Sequence, residues 1–240
     1  MFHMFYPQVV KLMTALHIKL ASITFPQTRT GTMRAIRTLA STHLEPVLNT
    51  LIRFPLPYDQ HIIECWRTLA CDGSLLQAVY DRCLDMMARN VHVDEKIDPK
   101  SKKILSKVAN LRPLTVVSAL TETFQVEESE DVVSDNFPRL FSSLLIYIGS
   151  CVGKVKPPSL KADQIQQQEI VNAKDVKAFN KALAVICPSF LATESIKCLL
   201  ARGPNSADLM ELLSKEGVWT KLQEEEEYED GVQILGRYVN

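Results

Sequence analysis

Glycine is scarce in this chain, eight residues in 240, and that scarcity excludes a good deal. A fold made mainly of strands needs glycine in its tight turns, and a phosphate-cradling loop needs it where backbone meets anion. Both are poor readings here. No dinucleotide fingerprint, Walker loop or GxSxG elbow occurs. The six cysteines, at 65, 71, 83, 151, 187 and 198, form no CxxC pair and do not cluster, so zinc and dithiol motifs are absent. No run approaches the roughly 18 uncharged apolar residues that a bilayer span requires. The opening MFHMFYPQVVKLMTALHIKL is interrupted by His, Tyr-Pro and Lys and does not read as a secretory signal. A formal net charge of −1 gives no general attraction to nucleic acid or anionic lipid, and a nucleic-acid partner is not expected.

What is present points to helices. Hydrophobic residues make up 46% of the chain and charged residues 23%, enough of each for a folded core and a solvated surface. Apolar residues recur at helical spacing over 7–23, 33–54 (with a possible break near His43), 59–70, 74–88, 111–126, 135–152, 175–185, 191–201, 206–213 and 228–238. That makes about ten helices and no convincing alternating strand. Two polar stretches, VHVDEKIDPKSKK and KVKPPSLKADQIQQQE, read as linkers. The first is basic and would join sub-blocks 1–92 and 108–240 of a single helical domain covering 1–240.

Local signals set the boundaries. Pro7, Pro46, Pro113 and Pro138 each fall early in an apolar-periodic stretch, where a missing N–H costs little. Asp59 and Ser206 read as N-caps, Asp72-Gly73 as a short turn, and Gly203-Pro204 as a stop. A motif also repeats. YPQVVKLMTALHIKLAS and FPRLFSSLLIYIGSCVG place an aromatic before proline and then apolar residues at matching offsets, and LEPVLNTLIRF shortens the theme. Repeats at the starts of amphipathic helices describe stacked helical pairs, each burying its stripe on the next. The expected architecture is all-α, a HEAT/armadillo-like α-solenoid.

The stretch FPLPYDQHIIECWRTLACDGSLLQAVYDRCLDMM resembles the maestro heat-like repeat-containing family. The matching positions are Pro55-Leu56-Pro57, then Trp66-Arg67-Thr68-Leu69, then Leu75 and Leu76. Pro138, Leu140, Phe141, Leu144 and Leu145 resemble the family's recurrent proline-led helix, and Gly217-Val218-Trp219 with the acidic run and Gly231-Val-Gln-Ile-Leu resembles its tail. The resemblance implies an armadillo-type scaffold and brings no catalytic residue with it. Members of the family are much longer arrays, so the chain reads as a middle piece or short isoform whose uncapped ends would favour self-association.

Reactive-looking residues weigh little against blander readings. His61 and Cys65 share a helix face at a spacing metal ligands use, but no second pair completes a site. In Gly149-Ser150-Cys151-Val152-Gly153 the glycines read as close-packing and C-capping residues, and Cys151 as core. No catalytic, cofactor or metal residue is assigned. The cysteines read as reduced, mostly buried thiols, which sets the expected location in the cytoplasm.

Candidate partner contacts remain. Trp66 and Trp219 are large anchors that either fix helix-pair angles or serve as binding hot spots. Lys100, Lys102 and Lys103 lie in the basic 96–107 segment, and Glu225 and Glu226 in the acidic run EEEEYED. The ends also differ in sign, with six Lys/Arg against two Asp/Glu in 1–60 and three against nine in 204–240. The reading is a non-catalytic scaffold for a protein partner. An adaptor at an organelle membrane using the basic loop comes second, and an unrecognised enzyme is a distant third.

Overall fold

Asp59 does what its position suggests, and Asp72, read with Gly73 as a short turn, is itself the cap of the next helix. The Asp59 carboxylate accepts from the backbone N–H of His61 and Ile62, both at 2.9 Å, and so starts α4 (Gln60–Ala70). Asp72 accepts from Leu75 N at 3.0 Å and starts α5 (Gly73–Arg89). The structure is a computed structural model describing residues 6–153, 155–168, 170, 175–203 and 206–239. Thirteen α-helices and a small sheet occur among the described residues.

Helices α1 (Tyr6–Leu20), α2 (Pro26–Thr42) and α3 (Leu44–Leu51) precede α4, with α2 and α3 broken at His43 as the periodicity suggests. Beyond α5 come α6 (Leu111–Phe124) and α7 (Glu130–Cys151), then α8 (Ala162–Gln167), α9 (Val176–Ala184) and α10 (Pro188–Leu200). The chain closes with α11 (Ser206–Lys215), α12 (Val218–Lys221) and α13 (Tyr228–Tyr238). Two rows emerge from the packing. In one, α2 lies on α4, α4 on α6 and α6 on α10; in the other, α1 lies on α3, α3 on α5, α5 on α7 and α7 on α10. Alternate helices stacking in two layers is the solenoid arrangement, and the apolar core runs unbroken from Val9 to Leu235.

Helix α7 departs from expectation. Pro138 does not start it: the helix begins at Glu130, eight residues earlier, and runs through the proline. Glu130 and Asp131 favour the positive end of the helix, and Leu140, Leu144, Tyr147 and Ile148 are buried beyond the proline. Burial of four large side chains outweighs the roughly 3 kcal/mol that an interior proline costs.

Neither linker is unstructured. The basic one forms a hairpin of β1 (Val93–Ile97) and β2 (Ile104–Ala109), and the second contributes β3 (Val155–Lys156), parallel to β2, as well as α8. The Ser206 cap is also revised, since Ser206 is the first residue of α11 itself. Pro204 of the expected stop signal lies outside the described residues.

Glycine is used where the sequence suggested. Gly149 lets the Tyr228 ring approach α7 and donate its hydroxyl to Leu145 O at 2.7 Å, and a Cβ at 149 would stand 2.9 Å from that hydroxyl. Gly153, just past α7, has φ +83°, the left-handed conformation that ends helices.

Candidate interaction site

The segment RFPLPYDQHIIECWR is a joint between helices. Phe54 and Leu56 are buried after α3, the Leu56–Pro57 peptide is cis, and Tyr58 donates its hydroxyl to Thr115 O on α6 at 3.0 Å. Trp66 is 0% exposed, with its ring centroid 6.4 Å from that of Tyr58. It therefore has no surface to offer a partner, which corrects the hot-spot reading. A side chain this large and apolar stabilises most where it is fully dry, between α4 and its neighbours. His61 serves as a brace: Arg29 of α2 donates to His61 Nδ1 at 2.9 Å and also grips the Glu64 carboxylate. Burial pushes the Cys65 thiol up to about 12. No group of three or more metal-ligating side chains occurs among the described residues.

Trp219 is half-buried. Its indole N–H donates to Ser214 Oγ at 2.9 Å and Lys197 Nζ lies 5.2 Å over the ring, so it ties α12 to α11 and α10. Glu225 and Glu226 are exposed in the turn before α13. Glu225 packs over Gly153 and stands 4.0 Å from Lys107 of β2, while Glu229 and Asp230 occupy the first turn of α13, where helix polarity favours them.

Lys100, Lys102 and Lys103 are exposed at the tip of the hairpin. Asp98 organises that tip. Its carboxylate accepts from Lys100 N at 3.0 Å and Ser101 Oγ at 2.5 Å, which hold it below the usual carboxylate range, and Lys102 turns with φ 54°. The base is anchored where Asn110 N donates to His92 O at 2.9 Å and the His92 ring packs on Tyr147.

Sequence reasoning missed the hairpin's aliphatic residues. Ile97 pairs with Ile104, Lys96 pairs with Ser106, and Leu105 is the extra residue between them. Exposures of 53% for Ile97, 49% for Ile104 and 68% for Leu105 make an apolar patch beside the lysines. A bulge of this kind re-aims a side chain, here out to solvent. The findable signal was the β-branched residues at 91, 93, 97, 104 and 108 on either side of an Asp-Pro turn.

Comparison with known proteins gives this geometry a context. Residues 3–80 match the family model described as Maestro, HEAT repeats. Over 230 residues the chain is 28% identical to maestro heat-like repeat-containing protein family member 1 of Mus musculus, covering 95% of this chain. The chain is similar to the maestro heat-like repeat-containing family over most of its length. The Homo sapiens member 1 is 26% identical over 232 residues, 96% of this chain, and the Dictyostelium discoideum one 32% over 148 residues, 61% of this chain. The chain spans 13% of the length of the mouse and human proteins and 9% of the Dictyostelium one. No solved structure matches it. The two-row stacking of α1 to α7 and α10 is the architecture expected of HEAT repeats, and the β-hairpin is inserted between α5 and α6.

Proposed function

We propose that the chain is a non-catalytic protein-interaction scaffold that docks a partner on the β1–β2 hairpin. The carrying observation is the exposed Ile97–Ile104–Leu105 patch flanked by Lys100, Lys102 and Lys103. Water-exposed aliphatic residues on a short hairpin gain free energy when covered, and neighbouring charges orient the partner. Asp94, Glu95 and Asp98 sit on the same hairpin as the lysines. That mixture of signs suits a protein surface carrying both charges better than a uniformly anionic bilayer. The reading includes a cytoplasmic setting, supported by cysteines that sit singly, with Cys65, Cys83 and Cys151 in the apolar core.

A second reading, an adaptor at an organelle membrane, draws on the same pairing of aliphatic and basic side chains. Vesicle pelleting separates the two. Binding to anionic vesicles that disappears when Lys100, Lys102 and Lys103 are reversed to Glu favours the membrane, and binding that survives reversal excludes it in this form. For the scaffold, affinity capture from native tissue with the wild-type chain is compared with capture by Leu105→Ser and by the triple Lys→Glu variant. Recovery of a defined protein by the wild type, lost in both variants, is the expected result. Equal recovery by all three contradicts docking on the hairpin.

A further inference from the structure

The tip of the hairpin reads DPKSKK, and its one hydroxyl, on Ser101, is exposed between β1 and β2 with Lys100, Lys102 and Lys103 beside it. That hydroxyl holds the turn shut. It donates to Asp98 Oδ2 at 2.5 Å, and its oxygen accepts from Lys103 N at 3.4 Å. Backbone bonds from Lys102 N to Asp98 O at 2.9 Å and from Asp98 N to Lys103 O at 2.8 Å close the same loop.

These bonds run among residues 98–103, so the tip can open into an extended strand while the helical rows stay packed. An extended segment is what the substrate groove of a protein kinase takes. Ser159 supplies the contrast. It too is exposed and stands between Lys156 and Lys161, but the next residue, Leu160, is tied to the Asn180 side chain of α9 through both its N–H and its C=O, at 2.9 and 2.8 Å. That segment is fixed in place and the hairpin tip is not.

We propose that Ser101 is a phosphorylation site for a serine/threonine kinase that selects basic flanks, and that its phosphate switches off docking on the hairpin. In the reaction Ser101 Oγ bonds to the γ-phosphorus of a nucleoside triphosphate. The bond from that phosphorus to the β-phosphate oxygen breaks, the nucleoside diphosphate leaves, and the hydroxyl proton passes to the kinase's carboxylate base. Lysines on both sides of Ser101 complement an acidic rim around such an active site. The product reverses what the hydroxyl did. A phosphoserine brings about two negative charges near neutral pH, which offset two of the three lysines, and its ester oxygen has no proton to give Asp98. Two anions then stand where a hydrogen bond stood, so the turn loosens and the charge that orients a partner is cancelled. The switch rests on docking at the hairpin, whereas the modification itself does not.

The test incubates the full chain with labelled ATP and a kinase of this class and maps the label by peptide mass. Phosphate should fall mainly on Ser101. Ser101→Ala should lose nearly all incorporation and Ser159→Ala should keep it. The triple variant with Lys100, Lys102 and Lys103 changed to Glu should be labelled about tenfold more slowly, or worse, because its flanks then repel the acidic rim. Chain isolated from native tissue under phosphatase inhibition should carry the same phosphate. No labelling, labelling that survives Ser101→Ala, a triple variant labelled as fast as the wild type, or tissue chain unmodified at Ser101 overturns the site. The switch has its own readout. Phosphorylated chain should recover about tenfold less of the protein that unmodified chain captures, and kinase-treated Ser101→Ala should recover it in full. Undiminished recovery by the phosphorylated chain overturns the switch. Equal capture by Leu105→Ser and wild type removes docking and the switch together, and the label map then decides the site alone.

Discussion

Leu69 and Leu105 are the same residue in opposite circumstances. Leu69, in α4, is 0% exposed between two rows of helices, whereas Leu105, on β2, is 68% exposed on a hairpin that leaves those rows. Around Leu69 everything is committed: Trp66, Ala70, Leu76 and Leu120 are equally dry, and the polar groups nearby belong to caps and braces such as Asp59 and Arg29. Around Leu105 side chains are free to be covered, and the pairing that holds the hairpin is backbone hydrogen bonding with one ion pair, Lys107–Glu95 at 3.8 Å. The rows supply rigidity and the hairpin supplies reach. A substitution in one region should therefore register as stability, and in the other as binding.

The largest effect belongs in the rows. Trp66→Ala should cost about 3–5 kcal/mol, read as a lowered denaturation midpoint, because it empties a fully buried site that neighbouring helices cannot close. A cost near zero would mean that the junction is not packed as described. Asp59→Ala should come next, at about 1 kcal/mol for a lost N-cap, and its effect should depend on pH. Burial acts to raise the Asp59 pKa, but hydrogen bonds from Ile62 N, His17 and His61 N outweigh it and hold the value below the ordinary range. With the folded value depressed, the stabilisation is present above the unfolded pKa, about 3.9, and is lost as pH falls through the folded one. The difference between wild type and Asp59→Ala should therefore shrink in acid titrations below about pH 4. Smallest of all, Leu105→Ser should change stability by no more than about 0.5 kcal/mol, since the side chain already meets water. A large loss of stability there would dissolve the contrast between the two regions.

Much of the helical framework was legible in local chemistry, and what was hidden depended on distant contacts. The Asp59 start, the break at His43 and the left-handed turn at Gly153 are decided within a few residues, so the chain states them openly. Pro138 misled because proline usually opens a helix, while here the acidic turn at Glu130 and the apolar face beyond it carry the helix through. The hairpin was masked by Asp94, Glu95 and Lys96, charges that blunt an edge strand against pairing with another chain and at the same time erase its apolar alternation. Trp66 could be read as anchor or hot spot from sequence, and only its surroundings decide.

Hydrogen exchange tests the division most directly. Amides of the purified chain are followed alone and in complex with the protein recovered by capture. New protection should concentrate in residues 93–109, with the amides of α2, α4 and α6 already slow in the free chain and little changed. A complex that leaves 93–109 exchanging at the free rate while protecting the helical rows would contradict the account.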